Sequence, residues 1–500
     1  MVAERRENPD NAVPQQRPTD RRSWLAVVIL CLGQLMLTLD ATVANVALPA
    51  IQRDLHFSQS SLAWVVNSYL ITFGGALLLA GRLGDLLGRR KVFLAGLGLF
   101  TLASLLCGLA PSQGLLIGAR SLQGVAAAGD SAMILALIVT LFPDPRDTAR
   151  AVGIYTFVAV SGGTIGLLVG GALTQAVSWH WIFFINLPIG LATLVLGALF
   201  IPDHRGTGFR QGLDVPGALF VTATPALIVY TIIQASDNGW ASARTFSLAA
   251  VAMVMALCFV AIEARSSHPL VPLRIFRSRT VNGANMVRAC LTFGMFGMFF
   301  LGALYLQRVL GYGALETGLA FIPLTLMLSI FSLFITRRVV ARLGARRTLI
   351  VGVSLSAAGD LFFAHATVGG NYVFAVLPVF LLMGAGNGLA FMPTITLAMS
   401  GAGAGDSGLV SGLANVAAQM GAALGVAVLA SLASTRTTSL LAHGQTTSQA
   451  LTGGYDLGFV AAGGCVAAAI VVALTVLRPT PQRPATVAAT ERLAEALDAA

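Results

Sequence analysis

The segment Gly81-Arg-Leu-Gly-Asp85-Leu-Leu-Gly88-Arg89-Arg90-Lys91 returns, 256 residues later, as Arg337-Arg-Val-Val-Ala341-Arg-Leu-Gly344-Ala-Arg346-Arg347. Gly88 aligns with Gly344, and Arg90-Lys91 aligns with Arg346-Arg347. Each copy is a short basic break between two long apolar runs, so the surroundings of one should repeat around the other. Outward from these breaks, runs long enough to cross a bilayer as a helix, about 20 mostly apolar residues, number fourteen. They lie near 24–50, 62–81, 92–110, 114–141, 152–176, 181–201, 215–234, 245–263, 283–306, 317–336, 348–366, 373–399, 407–433 and 455–477. They lack the two-residue alternation of membrane β-strands. The expected fold is therefore an all-α integral membrane protein with fourteen transmembrane helices. It comprises two pseudo-symmetric six-helix halves (24–201 and 281–478), two inserted central helices (202–280), and polar tails at 1–23 and 479–500.

Composition agrees. Of 500 residues, 56% are hydrophobic and only 10% charged, with a mean hydropathy of +0.81; soluble domains carry about 25% charged residues. A water-soluble globule, a disordered chain and a nucleic-acid binder are all excluded, the last despite a net charge of +10, because a basic face needs an aqueous surface. Alternating the spans from a cytoplasmic N-terminus puts 25 of the 31 basic residues in the tails and loops of one side. Only Arg53, Arg244, Arg308 and Arg436 fall in loops on the other. By the positive-inside rule both termini are expected to be cytoplasmic, in a multi-pass protein of the cytoplasmic membrane.

Several chemistries are missing. The single lysine, Lys91, follows Arg90, so no Gly-Lys-Ser/Thr phosphate loop exists. The loops are too short for a catalytic domain, so neither an ATP-driven pump nor an enzyme is expected. Gly129-Asp130-Ser131 lies mid-membrane without a histidine at usable depth, and the glycine clusters at 384–388 and 401–405 lack a βαβ setting. The five cysteines and six histidines show no metal-ligand spacing, and no cofactor or metal is expected.

Charge inside the bilayer is costly, about 2.5–3.5 kcal/mol per group on insertion scales. Asp40, Asp130, Asp360, Arg120 and Arg288 incur that cost. At 1.5 Å rise per residue, Asp40 lies about 24 Å from the inner end of span 1, and Arg120 about 9 Å from the outer end of the oppositely running span 4. The two reach a common depth, with Gln123 one turn from Arg120, while Asp130 lies about 15 Å deeper. Asp40, Arg120 and Asp130 are thus candidates for a proton relay; a purely structural ion pair is the alternative. A carboxyl in low dielectric favours its neutral form, and a nearby arginine favours the ionised one. Asp360 and Arg288 have no evident partners; packing is the favoured reading, and a functional role is the alternative. Gly162, Gly166 and Gly170, with Gly171 beside them, form one small-residue face of span 5, either a static packing surface or a moving one.

These motifs together resemble the major facilitator superfamily, in particular its fourteen-span drug:proton antiporters. The resemblance covers roughly residues 24–478. It rests on the Gly81–Lys91 loop, Arg120-Ser-Leu-Gln123-Gly124 in span 4, the span 5 glycines, and Asp40-Ala-Thr-Val-Ala-Asn45-Val-Ala-Leu-Pro49 in span 1. Trp179-His-Trp-Ile-Phe-Phe-Ile-Asn186-Leu-Pro188-Ile-Gly190 at the entry to span 6, Tyr305-Leu-Gln307, and Gly408 to Gly421 extend it. Three positions depart from the family pattern: Leu167 replaces a proline, His180 an arginine, and Asp130 with Ala132 stands in a normally apolar stretch. The resemblance implies a gating loop of Gly81, Asp85, Gly88, Arg89 and Arg90, with Asp85 set against the other half. Ala341 in place of the repeat's acid leaves that device in one half. It also implies a substrate cavity with candidates Gln34, Asn45, Gln123 and Asn285, and an activity: proton-coupled export of an amphipathic drug-like or antibiotic compound by rocking of two halves. The expected partners are the small-molecule substrate, protons and the lipid bilayer, with the protein a monomer. A dedicated exporter of one endogenous metabolite is the alternative, and a transport-inactive scaffold or sensor a remote one.

Overall fold

The computed structural model describes residues 21–142, 144–203, 206, 208, 215–266, 269–365, 367–403 and 406–477; nearly all of both expected tails lies outside them. Fourteen helical spans follow in order. The first six are α1 (Arg21–Leu55), α2 (Ser61–Leu87), α3 (Arg89–Gly108), α4 (Gln113–Leu141), α5 (Pro145–Ala176) and α6 (Trp181–Phe200). Two more come next, α7 (Val215–Asn238) and α8 (Ala243–Arg265). The last six are α9 (Arg279–Arg308), α10 (Ala314–Leu343), α11 (Ala345–Phe363), α12 (Tyr372–Ser400), α13 (Ser407–Ala442) and α14 (Thr447–Thr475).

Among the described residues, thirteen of these helices are long and apolar enough to cross a membrane. The fourteenth, α11, has only 19 residues and carries Arg346, Arg347 and Asp360. It still packs between α12 and α14 like its counterpart α3 between α4 and α6.

The packing repeats with the sequence. In the first half α1 packs on α5 and α6, α2 on α4, and α3 on α4 and α6; in the second α9 packs on α13 and α14, α10 on α12, and α11 on α12 and α14. The halves meet along two seams, α2 against α13 and α5 against α10, which are themselves equivalent under the repeat. The inserted helix α7 lies over the α2–α13 seam, touching both, and α8 packs on α7. The apolar stretch of α8 is only 11% buried, against 72% for α9, as befits a peripheral helix facing lipid.

Local chemistry sets the ends. Ser112 caps α4, its hydroxyl accepting from Leu115 N, and Asp144 with Pro145 at the first position starts α5. Gly88 ends α2 and Gly344 ends α10, with φ of 102° and 82°; only glycine enters these backbone regions without strain. Immediately after each, an arginine turns back onto the last turn of a neighbour. Arg90 donates to Ala198 O of α6, and Arg346 Nε donates to Ala473 O of α14 at 3.0 Å. Guanidinium groups at helix C-termini satisfy orphan carbonyls and complement the helix dipole. The two basic breaks thus do the same job twice.

Candidate functional site

Asp40 sits midway along α1, Arg120 and Gln123 one turn apart on α4, Ser104 on α3 and Asn186 on α6; all five are at most 1% exposed. Arg120 Nη1 donates to Asp40 Oδ2 and, at 2.9 Å, to Gln123 Oε1. Arg120 Nε donates to Val65 O of α2 at 3.1 Å. The other carboxylate oxygen, Oδ1, accepts from Gln123 Nε2 and from Asn186 Nδ2, each at 3.0 Å. Ser104 Oγ accepts from Gln123 Nε2 at 2.8 Å and donates to Phe100 O at 2.8 Å. The guanidinium lies over the Tyr69 ring, 4.6 Å from its centroid, with Phe183 5.7 Å away. Five helices thus converge on one ion pair. Charge-assisted hydrogen bonds of this kind are what make a buried pair tolerable, since each ion alone would carry a penalty of several kcal/mol.

The helices are held close enough for this by glycine. A Cβ on Gly124 of α4 would collide with Thr72 and the Tyr69 backbone of α2, and Thr72 Oγ1 donates across to Ser121 O at 2.8 Å. On α5, Gly162 faces Leu35 and Thr38, Gly166 faces Leu39 and Thr42, and Gly170 faces Val43, all on the turns of α1 flanking Asp40. Gly171 faces Ala314 and Leu315 of α10 instead, across the seam. The face therefore serves two contacts, one inside the half and one between halves. The second half repeats it: Gly421 and Gly425 of α13 lie against Ala289 and Phe293 of α9.

The remaining expected residues lie elsewhere. Asp130 is fully buried where α4 meets α3, Oδ1 against Gly96, and neither carboxylate oxygen has a hydrogen-bond partner. It is not part of the Asp40 cluster. Gln123, expected among substrate contacts, is committed to that cluster. Gln34, Asn45 and Asn285 stay outside it; each leaves an amide oxygen buried without a partner, on α1 and on α9, which touch one another. Asp85 is half exposed and lies 3.6 Å from Arg89 of its own loop; Arg89 also donates to Ala136 O of α4 at 3.2 Å. Gly81 faces open space. Arg288 lies over the Phe391 ring of α12, 4.6 Å from its centroid. Ser104 and Tyr69 carried no distinguishing mark in the sequence. Asn186 was visible only as part of the Asn-Leu-Pro entry to span 6.

The model of the Major Facilitator Superfamily matches residues 30–426. The chain belongs to that superfamily. It is a membrane transporter and not an enzyme. Among its relatives, the puromycin resistance protein Pur8 of Streptomyces alboniger is 38% identical over 450 residues, 89% of either chain. The cephamycin export protein CmcT of Amycolatopsis lactamdurans is 37% identical, covering 81% of this chain and 84% of its own. The same fold occurs in the POT family transporter PepTSo, with a TM-score of 0.66 at 14% identity over 91% of this chain and 99% of that one. It occurs also in the human organic anion transporter MFSD10, with a TM-score of 0.61 at 15% identity over 91% and 100%.

Proposed function

We propose that this superfamily member exports an amphipathic antibiotic or drug-like compound across the cytoplasmic membrane in exchange for protons, by alternating access. The observation that carries the proposal is the Asp40–Arg120 pair, buried where five helices meet. While the pair is closed, Asp40 and Arg120 serve as each other's counter-ion. If α1 shifts along the glycine face of α5, away from α4, the Asp40 carboxylate loses its counter-ion, and a proton is the partner that replaces Arg120. Closure of the pair expels it. One charge moved across 100 mV supplies about 2.3 kcal/mol, enough for a useful concentration ratio. The basic end, carrying Arg89, Arg90, Arg346 and Arg347, faces the cytoplasm in this reading. Contacts between the halves support a state closed at the opposite end: Gln307 Nε2 donates to Val46 O at 2.8 Å, and Leu315 N donates to Gln175 Oε1 at 3.0 Å.

Puromycin efflux from proteoliposomes under an imposed pH gradient tests this. The unaltered protein should move puromycin uphill only with the gradient, and Asp40→Asn should lose that dependence while inserting normally. Uphill efflux that survives collapse of both ΔpH and Δψ would overturn it. A narrower version, export of one compound only, draws support from relatives named for single antibiotics, such as the tetracenomycin C resistance and export protein of Streptomyces glaucescens. A panel of unrelated antibiotics separates the two.

A further inference from the structure

At the arginine-poor end, a cavity of about 620 Å³ opens between α1, α5, α9 and α10. Arg53 and Arg308 line it, with Thr174, Gln175, Gln307 and Tyr312. No aspartate or glutamate does. Only four basic residues interrupt this end of the protein, and two of them converge here. Arg53 stands in the last turn of α1 and Arg308 in the last turn of α9, the first helix of each half, so the two halves each bring one arginine to the cavity.

A helix-end role accounts for Arg53 Nε, which donates to Pro49 O at 3.3 Å. It does not account for Thr174 Oγ1, buried without a hydrogen-bond partner, or for the remaining donors of Arg308, whose guanidinium has the Tyr455 hydroxyl of α14 beside it. Buried polar groups left unmatched in a protein ask for a partner. Nearby acids are engaged elsewhere: Asp54 accepts from Trp179 Nε1 at 2.8 Å, and Glu316 accepts from Gly313 N at 2.8 Å, capping α10. The lining itself carries two cations and no acid, and it is supplied with hydroxyl and guanidinium donors. Tyr312, Pro49 and Ala314 give it apolar walls. Its volume is that of a small-molecule site and far exceeds a simple inorganic ion.

We propose that this cavity binds an amphipathic organic anion, its carboxylate or sulfonate clamped between Arg53 of one half and Arg308 of the other. Gln175 and Gln307, which line the cavity, also make the hydrogen bonds that join the halves at this end. A ligand that bridges the two arginines binds the closed arrangement in preference to the open one, and so favours it.

The test reads binding, not transport, and so stands or falls independently of the efflux assay. Fluorescence polarisation of carboxyfluorescein is measured on the full chain in nanodiscs. Arg53→Gln and Arg308→Gln should each weaken binding about ten-fold, the loss of one charge-assisted hydrogen bond. Unchanged affinity in the double variant overturns the proposal. A second measurement uses the unaltered protein. Saturating carboxyfluorescein should protect Arg53 and Arg308, but not Arg244 or Arg436, from phenylglyoxal, as read by peptide mass spectrometry. Equal labelling of all four arginines with and without the dye also overturns it.

Discussion

Ser104 and Asp360 occupy equivalent places in the two repeats, related by the same offset of 256 that aligns Gly88 with Gly344. Their surroundings differ completely. Ser104 is tied to Gln123, Asn186 and Phe100. Asp360 faces Gly294 of α9 and has no hydrogen-bond partner on either oxygen. Ser104→Ala should therefore cost about 1–3 kcal/mol, because it strands donors of a buried cluster. Asp360→Asn should cost less than about 1 kcal/mol, because no cation or donor depends on that carboxylate. Thermal melts of the two variants in one detergent decide the order, and a larger loss for Asp360→Asn would refute it.

Asp40→Asn should destabilise the protein as well as uncouple it. Arg120 would keep its charge in a dry site without a counter-ion, at about 3–5 kcal/mol. Adding Arg120→Gln to Asp40→Asn should recover much of that loss without restoring proton-driven efflux. Melting temperatures and efflux read on the same preparations separate the two effects.

The α5 glycines should be sharply unequal to others. Gly166→Ala places a methyl group into Thr42 and the Leu39 backbone, and Gly170→Ala into the Val43 backbone. Overpacking of this kind costs about 1–3 kcal/mol. Gly98→Ala on α3 meets nothing within 4 Å and should be neutral or stabilising, since alanine favours a helix over glycine by up to about 1 kcal/mol. Equal melting behaviour of Gly98→Ala and Gly166→Ala would contradict the contact pattern.

Gly88→Ala and Gly344→Ala should each cost about 1–3 kcal/mol through backbone strain alone, given their positive φ. Neighbouring Gly81→Ala, in open space, should not. Folded yield after purification and the melting midpoint measure the contrast.

Much of the fold was legible because a bilayer imposes length and apolarity on each span, and the basic breaks mark one face. The exception is α11: it is short, carries three charges and falls below the apolarity of the other thirteen, yet its apolar run at 348–366, after the basic break, reads as a span. The π-helical turns Phe331–Ile335 and Tyr372–Val376 are not among the features read from the sequence; the second lies just before Pro378, which has no N–H to give the preceding turn. At the site, counting residues from the helix ends was enough to bring Asp40 to Arg120. Counting gives depth but not azimuth. It could not tell that Asp130 turns to Gly96, that Gln123 joins the ion pair, or that Ser104 and Asn186 complete it. A serine or asparagine in an apolar helix looks the same whether it packs, binds or does neither.

The position of α7 has a consequence for traffic through the surrounding lipid. Among the described residues, the flank where α2 meets α13 is roofed by α7, whereas no helix lies over the matching flank at α5 and α10, where Ile165, Leu319 and Leu326 are exposed. A greasy molecule dissolved among the acyl chains therefore meets the bare α5–α10 seam on one side of the protein and α7 on the other, so its sideways approach to the junction of the halves is lopsided.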